Sequence, residues 1–108
     1  MTERSAVPAI QHPAGLLYGP GHVVVHANAP FRELFGAELT GLPAAEVLID
    51  LPHGAFELLD LVYREGQPLA RWITLRGTEW RLTVAPRGDS GTGQVYGIAV
   101  HLVPRKHA

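Results

Sequence analysis

Two short apolar runs near the start of the chain are separated by turn-forming residues. Residues 16–18 and 23–25 consist of Leu, Tyr and Val, and the segment between them contains Gly19, Pro20 and Gly21. Apolar runs of this length on either side of glycine and proline are typical of a β-hairpin. The pattern therefore predicts the first two strands of a sheet.

A short helix is predicted directly after the second strand. The side chain of Asn28 can accept hydrogen bonds from the free N–H groups of a first helical turn, and Pro30 has no N–H to leave unpaired there. Phe31 and Phe35 recur at helical spacing, and Gly36 supplies a left-handed stop. The second strand therefore ends because a helix begins.

Two more helices are predicted before the chain changes to β structure. Residues 42–48 have Pro43 near their start and good helix formers after it. Residues 54–65 carry apolar side chains at three- and four-residue steps, and Gly66 marks their end. We expect the helix over 54–65 to be the longest and to present a wide apolar stripe.

The rest of the chain has the pattern of three strands. Apolar and β-branched residues dominate 69–76, 79–85 and 94–103, and glycine-containing turns separate these segments. The order is then two strands, a group of helices and three strands. Strands at both ends of a chain with helices between them predict an α+β fold with the helices on one face of an antiparallel sheet.

The predicted domain occupies residues 15–103. Residues 1–14 contain two prolines and little periodicity, so they are expected to form an extended leader, and residues 104–108 form a short tail. A chain of 108 residues, 46% apolar and 18% charged, fits one soluble domain. No apolar run approaches the roughly 20 residues of a membrane-spanning helix and no secretory signal is visible, so a cytoplasmic location is expected.

Charge and cysteine content exclude several kinds of function. A formal net charge of −1 with scattered basic residues provides no basic surface for nucleic acid. The chain has no cysteine, which excludes disulfides, thiolate metal sites, cysteinyl-flavin photochemistry and thioether-linked haem. Neither nucleic acid nor a membrane is an expected partner.

Several short motifs, taken in their order and spacing, resemble those of a PAS domain. They are Val25-His26-Ala27-Asn28-Ala29-Pro30-Phe31, Leu34-Phe35-Gly36, Gly41-Leu42, Tyr63-Arg64-Glu65-Gly66-Gln67-Pro68 and the segment from Gly91 to Val100. The resemblance implies a five-stranded antiparallel sheet, with short helices and one longer helix packed on one face as a lid over a cleft. It also implies a signalling protein that senses a ligand or cofactor and dimerises, and eight arginines against one lysine in an Ala/Gly/Pro-rich chain indicate a bacterial source.

No group of residues predicts catalysis or a metal site. His22 and His26 would share a strand face at a separation of roughly 13 Å, too far apart to bind one ion. Residues 88–91, Gly-Asp-Ser-Gly, resemble a protease nucleophile segment, but their position between two strands favours a turn. Asp60 lies among apolar residues and is interpreted as a solvated helix position. We therefore expect no enzymatic activity.

Alternation along the strands indicates which side chains face the helices. Trp80, Leu82 and Val84 occupy the apolar positions of one strand, and Ile73 and Leu75 those of another. With apolar residues of the helices they are predicted to line a ligand-binding cleft. The predicted lining residues are Phe35, Leu48, His53, Phe56, Leu59, Tyr63, Ile73, Leu75, Trp80, Leu82 and Val84.

His53 has two interpretations. It either begins the long helix, with its imidazole satisfied by backbone or water, or it points into the cleft as a polar contact or axial haem ligand. The second interpretation follows from the resemblance, because haem-binding PAS domains use a histidine on the long helix. No cofactor other than haem is assigned to a named residue.

The opposite face of the sheet is predicted to be an interface. Trp72 and Thr74 in the third strand, and Ala99 and His101 in the last, alternate with inward-facing residues. The last strand is apolar on both faces although helices cover only one, so a second copy of the chain is the expected cover. For Trp72 the alternative is that the leader, residues 1–14, covers the indole.

Two functional hypotheses follow, with a third ranked below them. In the first, a small apolar ligand binds in the cleft and shifts the packing of the helices, which signals to an output domain or partner protein. In the second, the cleft is filled by its own side chains and the domain is a structural homodimerisation module. In the third, the domain is a haem or flavin sensor.

Overall fold

The chain begins and ends its regular structure with strands. A computed structural model describes residues 11–105. The helices are α1 (Ala29–Phe35), α2 (Ala44–Val47) and α3 (His53–Glu65), and the strands are β1 (Ala14–Tyr18), β2 (Val23–Ala27), β3 (Leu69–Leu75), β4 (Thr78–Gly88) and β5 (Val95–Pro104). Within this range no helix combines the length and the apolar character needed to cross a bilayer.

The strands form one antiparallel sheet in the order β2-β1-β5-β4-β3. β1 pairs with β5 along its length, from Ala14 opposite His101 to Tyr18 opposite Gly97. Strands from the two ends of the chain therefore lie side by side near the middle of the sheet. The predicted α+β fold, a five-stranded antiparallel sheet with short helices and one longer helix on one face, is confirmed.

Asn28 fixes the point at which β2 ends and α1 begins. Its Oδ1 accepts a hydrogen bond from the N–H of Phe31 at 3.1 Å, which is the predicted N-cap. The same oxygen accepts from the N–H of Ala14 at 3.0 Å, and Nδ2 donates to the carbonyl of His12 at 2.9 Å. One side chain therefore joins the start of β1 to the start of α1.

Positive φ angles end α3 and turn the chain between β3 and β4. Gly66, with φ 74° and ψ 19°, ends α3 in the left-handed conformation that glycine adopts without steric cost. Arg76 (φ 51°) and Gly77 (φ 81°) form the two-residue turn between β3 and β4, as in a type I′ turn. The strand boundaries predicted at residues 76 and 79 each move by one residue as a result.

Several further boundaries differ from the prediction: β4 runs to Gly88 and not to 85, β5 spans Val95–Pro104 and not 94–103, and α3 begins at His53 and not at 54. α2 is a single turn that starts at Ala44. Leu42 is not helical, because its carbonyl accepts a hydrogen bond from the N–H of Val24 in β2. β1 starts at Ala14, inside the predicted leader, because that residue already pairs with β5. Residues 1–10 of the leader lie outside the described residues.

The hydrophobic core lies between the helices and one face of the sheet. α3 buries Ala55, Leu58, Leu59 and Val62, which is the apolar stripe predicted from their spacing. In β4, Leu82 and its alternate neighbours face this core. We call the other side of the sheet the outer face; it carries Leu16, Trp72, Thr74, Ala99 and His101, which are exposed or half-buried.

Candidate functional site

The cleft predicted between helices and sheet is the core of the domain. Among the predicted lining residues, those that are buried are Leu48, Leu59, Ile73, Leu75, Leu82 and Val84. Those that are partly buried and packed against the core are Phe35, Phe56, Tyr63 and Trp80. The structure brings all of these side chains together in one apolar cluster.

Very little space remains inside this cluster. A cavity of about 10 Å³ is lined by Phe31, Phe35, Leu48, Leu51, Leu59, Leu82, Val100 and Leu102. That volume is about the minimum for one water molecule, and a wall without polar groups gives a water no hydrogen-bond partner. Sites for small molecules usually enclose about 300–1,000 Å³. The arrangement of these side chains therefore does not fit a haem, a flavin or another ligand of that size.

His53 lies outside the cleft. It is the first residue of α3, and 90% of its side chain is exposed. Its Nε2 is 3.7 Å from Oε2 of Glu57, one turn further along the same helix. His53 is therefore not part of the buried cluster, because the helix begins at this residue and its imidazole is exposed; it borders a surface pocket of about 390 Å³ together with His22 and Phe56. The imidazole is not placed to ligate a haem in the cleft.

Four cavity-lining residues were not among those predicted from the sequence. Phe31 shares a helical face with Phe35, and their ring centroids are 4.9 Å apart, so the spacing in α1 was a usable signal. Val100 and Leu102 alternate in β5, which is apolar on both faces and so did not reveal its inner side. Leu51 lies in an irregular segment and has no periodic signal.

A polar contact joins the β1–β2 turn to α3. His22 precedes β2 with a φ of 51° and is only 6% exposed. Its Nε2 is 2.6 Å from Oδ1 of Asp60, and its ring packs edge-on against Tyr63 with centroids 5.9 Å apart. His22 lies before β2 and not within it, so the prediction that His22 and His26 share a strand face is wrong. Asp60 is largely exposed, yet it also anchors the turn.

The segment that resembles a protease nucleophile is a turn. Oδ1 of Asp89 accepts a hydrogen bond from the N–H of Gly91 at 2.8 Å, and the carbonyl of Asp89 accepts one from Gly93 at 2.7 Å. Gly88 is the last residue of β4, and Asp89, Ser90 and Gly91 lie in the turn between β4 and β5, which confirms the turn interpretation for these three residues. Among residues 11–105, no three His, Asp or Glu side chains are arranged to hold a metal ion.

On the outer face, Trp72 lies beside two guanidinium groups. The indole is 48% exposed, and its ring centroid is 5.8 Å from Cζ of Arg81 and 5.3 Å from Cζ of Arg105. Nη1 of Arg105 also donates to Oε1 of Glu79 at 2.8 Å. Both cations are close enough for cation–π attraction, which holds the indole against the sheet. Cover of Trp72 by residues 1–10 lies outside the described residues.

The β1–β5 half of the outer face is a shallow groove. It is lined by Leu16 and Ala99 together with His26 and His101, and its volume is about 310 Å³. β4 separates this groove from Trp72 and Thr74 on β3. The four predicted interface residues therefore share one face but form two pairs, on β3 and on β5.

Comparison with known proteins identifies the fold. No protein-family model and no curated protein matches the chain. The PAS domain of the histidine kinase ThkA superposes with a TM-score of 0.65, over 83% of this chain and 97% of that domain, at 11% sequence identity. This chain has the PAS fold.

Two further structures share this PAS fold. The LOV domain of a blue-light activated histidine kinase from Erythrobacter litoralis matches with a TM-score of 0.65, over 92% of this chain and 100% of that chain, at 12% identity. The Vibrio cholerae VqmA dimer, described among LuxR-type receptors, matches with a TM-score of 0.68 over 94% of this chain, at 19% identity. This chain spans about half the length of VqmA, 49% of it.

Proposed function

We propose that this PAS fold is a protein-interaction module of a bacterial signalling protein in the cytoplasm, and that it works as a homodimer with a filled cleft. One observation carries the proposal: the space between helices and sheet is occupied by the domain's own side chains, with a cavity of about 10 Å³ left over. A domain whose core has no room for a ligand transmits through its surfaces. The module itself then has no catalytic role.

The sheet offers the surface for self-association. Tyr18, Trp72 and Tyr96 are 47%, 48% and 38% exposed, and the rings of Tyr18 and Tyr96 pack against each other with centroids 5.1 Å apart. Aromatic side chains that remain exposed on a folded domain are enriched at protein interfaces. The dimer described for VqmA, which has a similar fold, supports the same assembly here.

The apolar-ligand hypothesis requires the core to open. Leu59 and Leu82 both line the small cavity and are 0% and 2% exposed, so a ligand of ordinary size would have to separate α3 from β4. Separation of packed side chains loses the contacts that stabilise the domain. The filled-core interpretation needs no such rearrangement, which is why we prefer it.

Two measurements on the purified chain test the proposal together. We expect no absorbance band between 300 and 600 nm and no small molecule in the mass spectrum of the denatured protein. We also expect the mass from multi-angle light scattering to rise with concentration from that of a monomer towards that of a dimer. A stoichiometric bound molecule would contradict the filled cleft, and a monomeric mass at every concentration would contradict the homodimer.

A further inference from the structure

The two edges of the sheet differ in how their backbone groups are satisfied. At the β2 edge, the N–H of Val24 donates to the carbonyl of Leu42 at 2.9 Å, and the carbonyl of Val24 accepts from the N–H of Gly41 at 2.7 Å. The carbonyl of His22 accepts from the N–H of Ala44 at 2.9 Å. The segment before α2 therefore covers this edge at His22 and Val24.

The register of β4 shows which backbone groups of β3 are used inside the sheet. The N–H of Arg105 donates to the carbonyl of Glu79 at 2.9 Å, so Glu79 directs its backbone polar groups towards β5. Successive residues of an antiparallel strand bond to opposite neighbours, so Trp80 directs its groups towards β3. Trp80 lies opposite Ile73. The backbone groups of Leu69, Arg71, Ile73 and Leu75 therefore bond to β4.

The intervening residues of β3 point their backbone groups out of the sheet. These residues are Ala70, Trp72 and Thr74, and each carries one N–H and one C=O. Among residues 11–105, no backbone group from another element bonds to them. Within the part of the chain that the structure describes, the β3 edge is therefore open where the β2 edge is covered.

β3 also lacks two of the features that normally protect an edge strand. It contains neither proline nor lysine, and only Ile73 and Leu75 of its residues are buried. Its one charged residue is Arg71, which lies on the helix side, is exposed, and donates from Nη1 to the carbonyl of Gly54 at 3.1 Å. A strand of this length with exposed apolar side chains and unpaired backbone groups is a template for another strand.

We propose that β3 pairs antiparallel with β3 of a second copy, around a two-fold axis at Trp72. The inference rests on the homodimer proposed above and names the strand at which the two copies meet. In this register the outward groups of Trp72 bond to those of the second copy's Trp72, and those of Ala70 bond to those of its Thr74. The two sheets become one continuous sheet.

The side chains of β3 favour this register. On the outer face Trp72 lies opposite its own symmetry mate as an aromatic pair, and on the helix side Arg71 lies opposite Ile73, so like charges are not opposed. A shift by two residues in one direction would place Arg71 opposite Arg71 of the second copy. A shift in the other direction would place Ala70 opposite Arg76, which lies in the turn and not in the strand. The register centred on Trp72 alone uses the whole strand without opposing charges.

Single cysteines test this register, because the chain has no cysteine of its own. Hydrogen-bonded residues directly opposite each other have Cα atoms about 5.5 Å apart, a distance that a disulfide spans. We therefore expect a mixture of the Ala70→Cys and Thr74→Cys variants, one of them mass-tagged, to form a mixed disulfide dimer under mild oxidation. Formation should be about tenfold faster or more than dimer formation by either variant alone, because pairing raises the effective thiol concentration.

The variants on their own are the matched controls. In the proposed register, residue 70 and its symmetry mate are four residues apart along the strand, about 13 Å, so Ala70→Cys alone should cross-link only at the background rate. The same holds for Thr74→Cys alone. Equal rates for the mixture and for the single variants would overturn the proposed register.

A second pair of variants tests the edge without cross-linking. Ala70→Pro removes an outward N–H that β4 does not use, so we expect an unchanged far-UV circular dichroism spectrum but a monomeric mass in light scattering. Ala70→Ser keeps the N–H and should dimerise like the natural chain. If Ala70→Pro does not fold, the cysteine mixture decides alone.

These outcomes separate the edge from the homodimer in general. A single-strand interface is small, so the association is expected to be weak and dependent on concentration. A natural chain that stays monomeric would overturn both proposals. A dimer that persists in Ala70→Pro but is lost in Ala99→Arg would assign the contact to the outer face and overturn only the pairing of β3.

Discussion

Leu59 provides the most direct test of whether the cleft is a packed core. Its side chain is 0% exposed, lies on α3 and lines the small cavity. Leu59→Ala removes about three carbon groups, and at about 0.8 kcal/mol each their transfer accounts for about 2.4 kcal/mol. The cavity left behind adds to this loss, so we expect the free energy of unfolding to fall by about 3–4 kcal/mol.

Urea unfolding followed by far-UV circular dichroism measures this change. Comparable m-values for the natural chain and the variant would show that stability, and not the unfolded state, has changed. The matched control is Ile49→Ala, because Ile49 is 74% exposed and its truncation should change stability by less than about 0.5 kcal/mol. A loss below about 1 kcal/mol in Leu59→Ala would refute the filled-core interpretation, since a side chain facing an open cleft costs little to remove.

A ligand experiment on the same variant sharpens the test. Truncation of Leu59 enlarges a cavity without polar walls, and such cavities stay dry and bind small aromatic molecules. Benzene should therefore raise the melting temperature of Leu59→Ala and leave that of the natural chain unchanged. Equal stabilisation of both proteins would show that the natural cleft already holds space for a ligand.

Three further substitutions test contacts that position the elements, each by urea unfolding. Asn28→Ala should cost about 1–2 kcal/mol, because it removes the cap of α1, whereas Asn28→Asp keeps the acceptor. Gly97→Ala should cost about 1–3 kcal/mol, because a Cβ there would lie 2.6 Å from a backbone carbonyl of β1. Its control is Gly21→Ala, which should be nearly neutral because a Cβ at residue 21 would have no atom within 4 Å. Asp60→Ala should cost about 1–2 kcal/mol by leaving the buried imidazole of His22 without this partner, and Asp60→Asn less. Equal costs at the two glycines, or costs below about 0.5 kcal/mol at Asn28 or Asp60, would contradict these assignments.

Features that depend on neighbouring residues could be predicted from the sequence. The N-cap at Asn28 and the left-handed end of α3 at Gly66 follow from local backbone chemistry, and the structure confirms both. The alternation of Leu82 and Val84 in β4 indicated the core side of the sheet correctly. Local rules and the order of elements were sufficient for the α+β class, whereas the single five-stranded sheet was expected from the resemblance to a PAS domain.

Features that depend on three-dimensional volume or on distant contacts could not be predicted in the same way. The contact between His22 and Asp60 joins residues 38 positions apart, and it requires a left-handed turn residue that no pattern marks. His53 is exposed because it is the first residue of α3, whereas the sequence pattern predicted a helix that begins one residue later, at 54. Whether an apolar cleft is open or filled depends on how side chains interlock, which periodicity does not report.

The pairing of β1 with β5 determines when the domain can fold. β1 is synthesised well before its second partner, β5, which begins at Val95, and the pair Ala14 and His101 closes the segment between them into a loop. Such long-range closure costs chain entropy before any contact compensates for it, so folding is expected to take roughly milliseconds to seconds. A nascent chain that has not yet reached β5 lacks the strand between β1 and β4, so its N-terminal hairpin can join the rest of the sheet only after β5 has been synthesised.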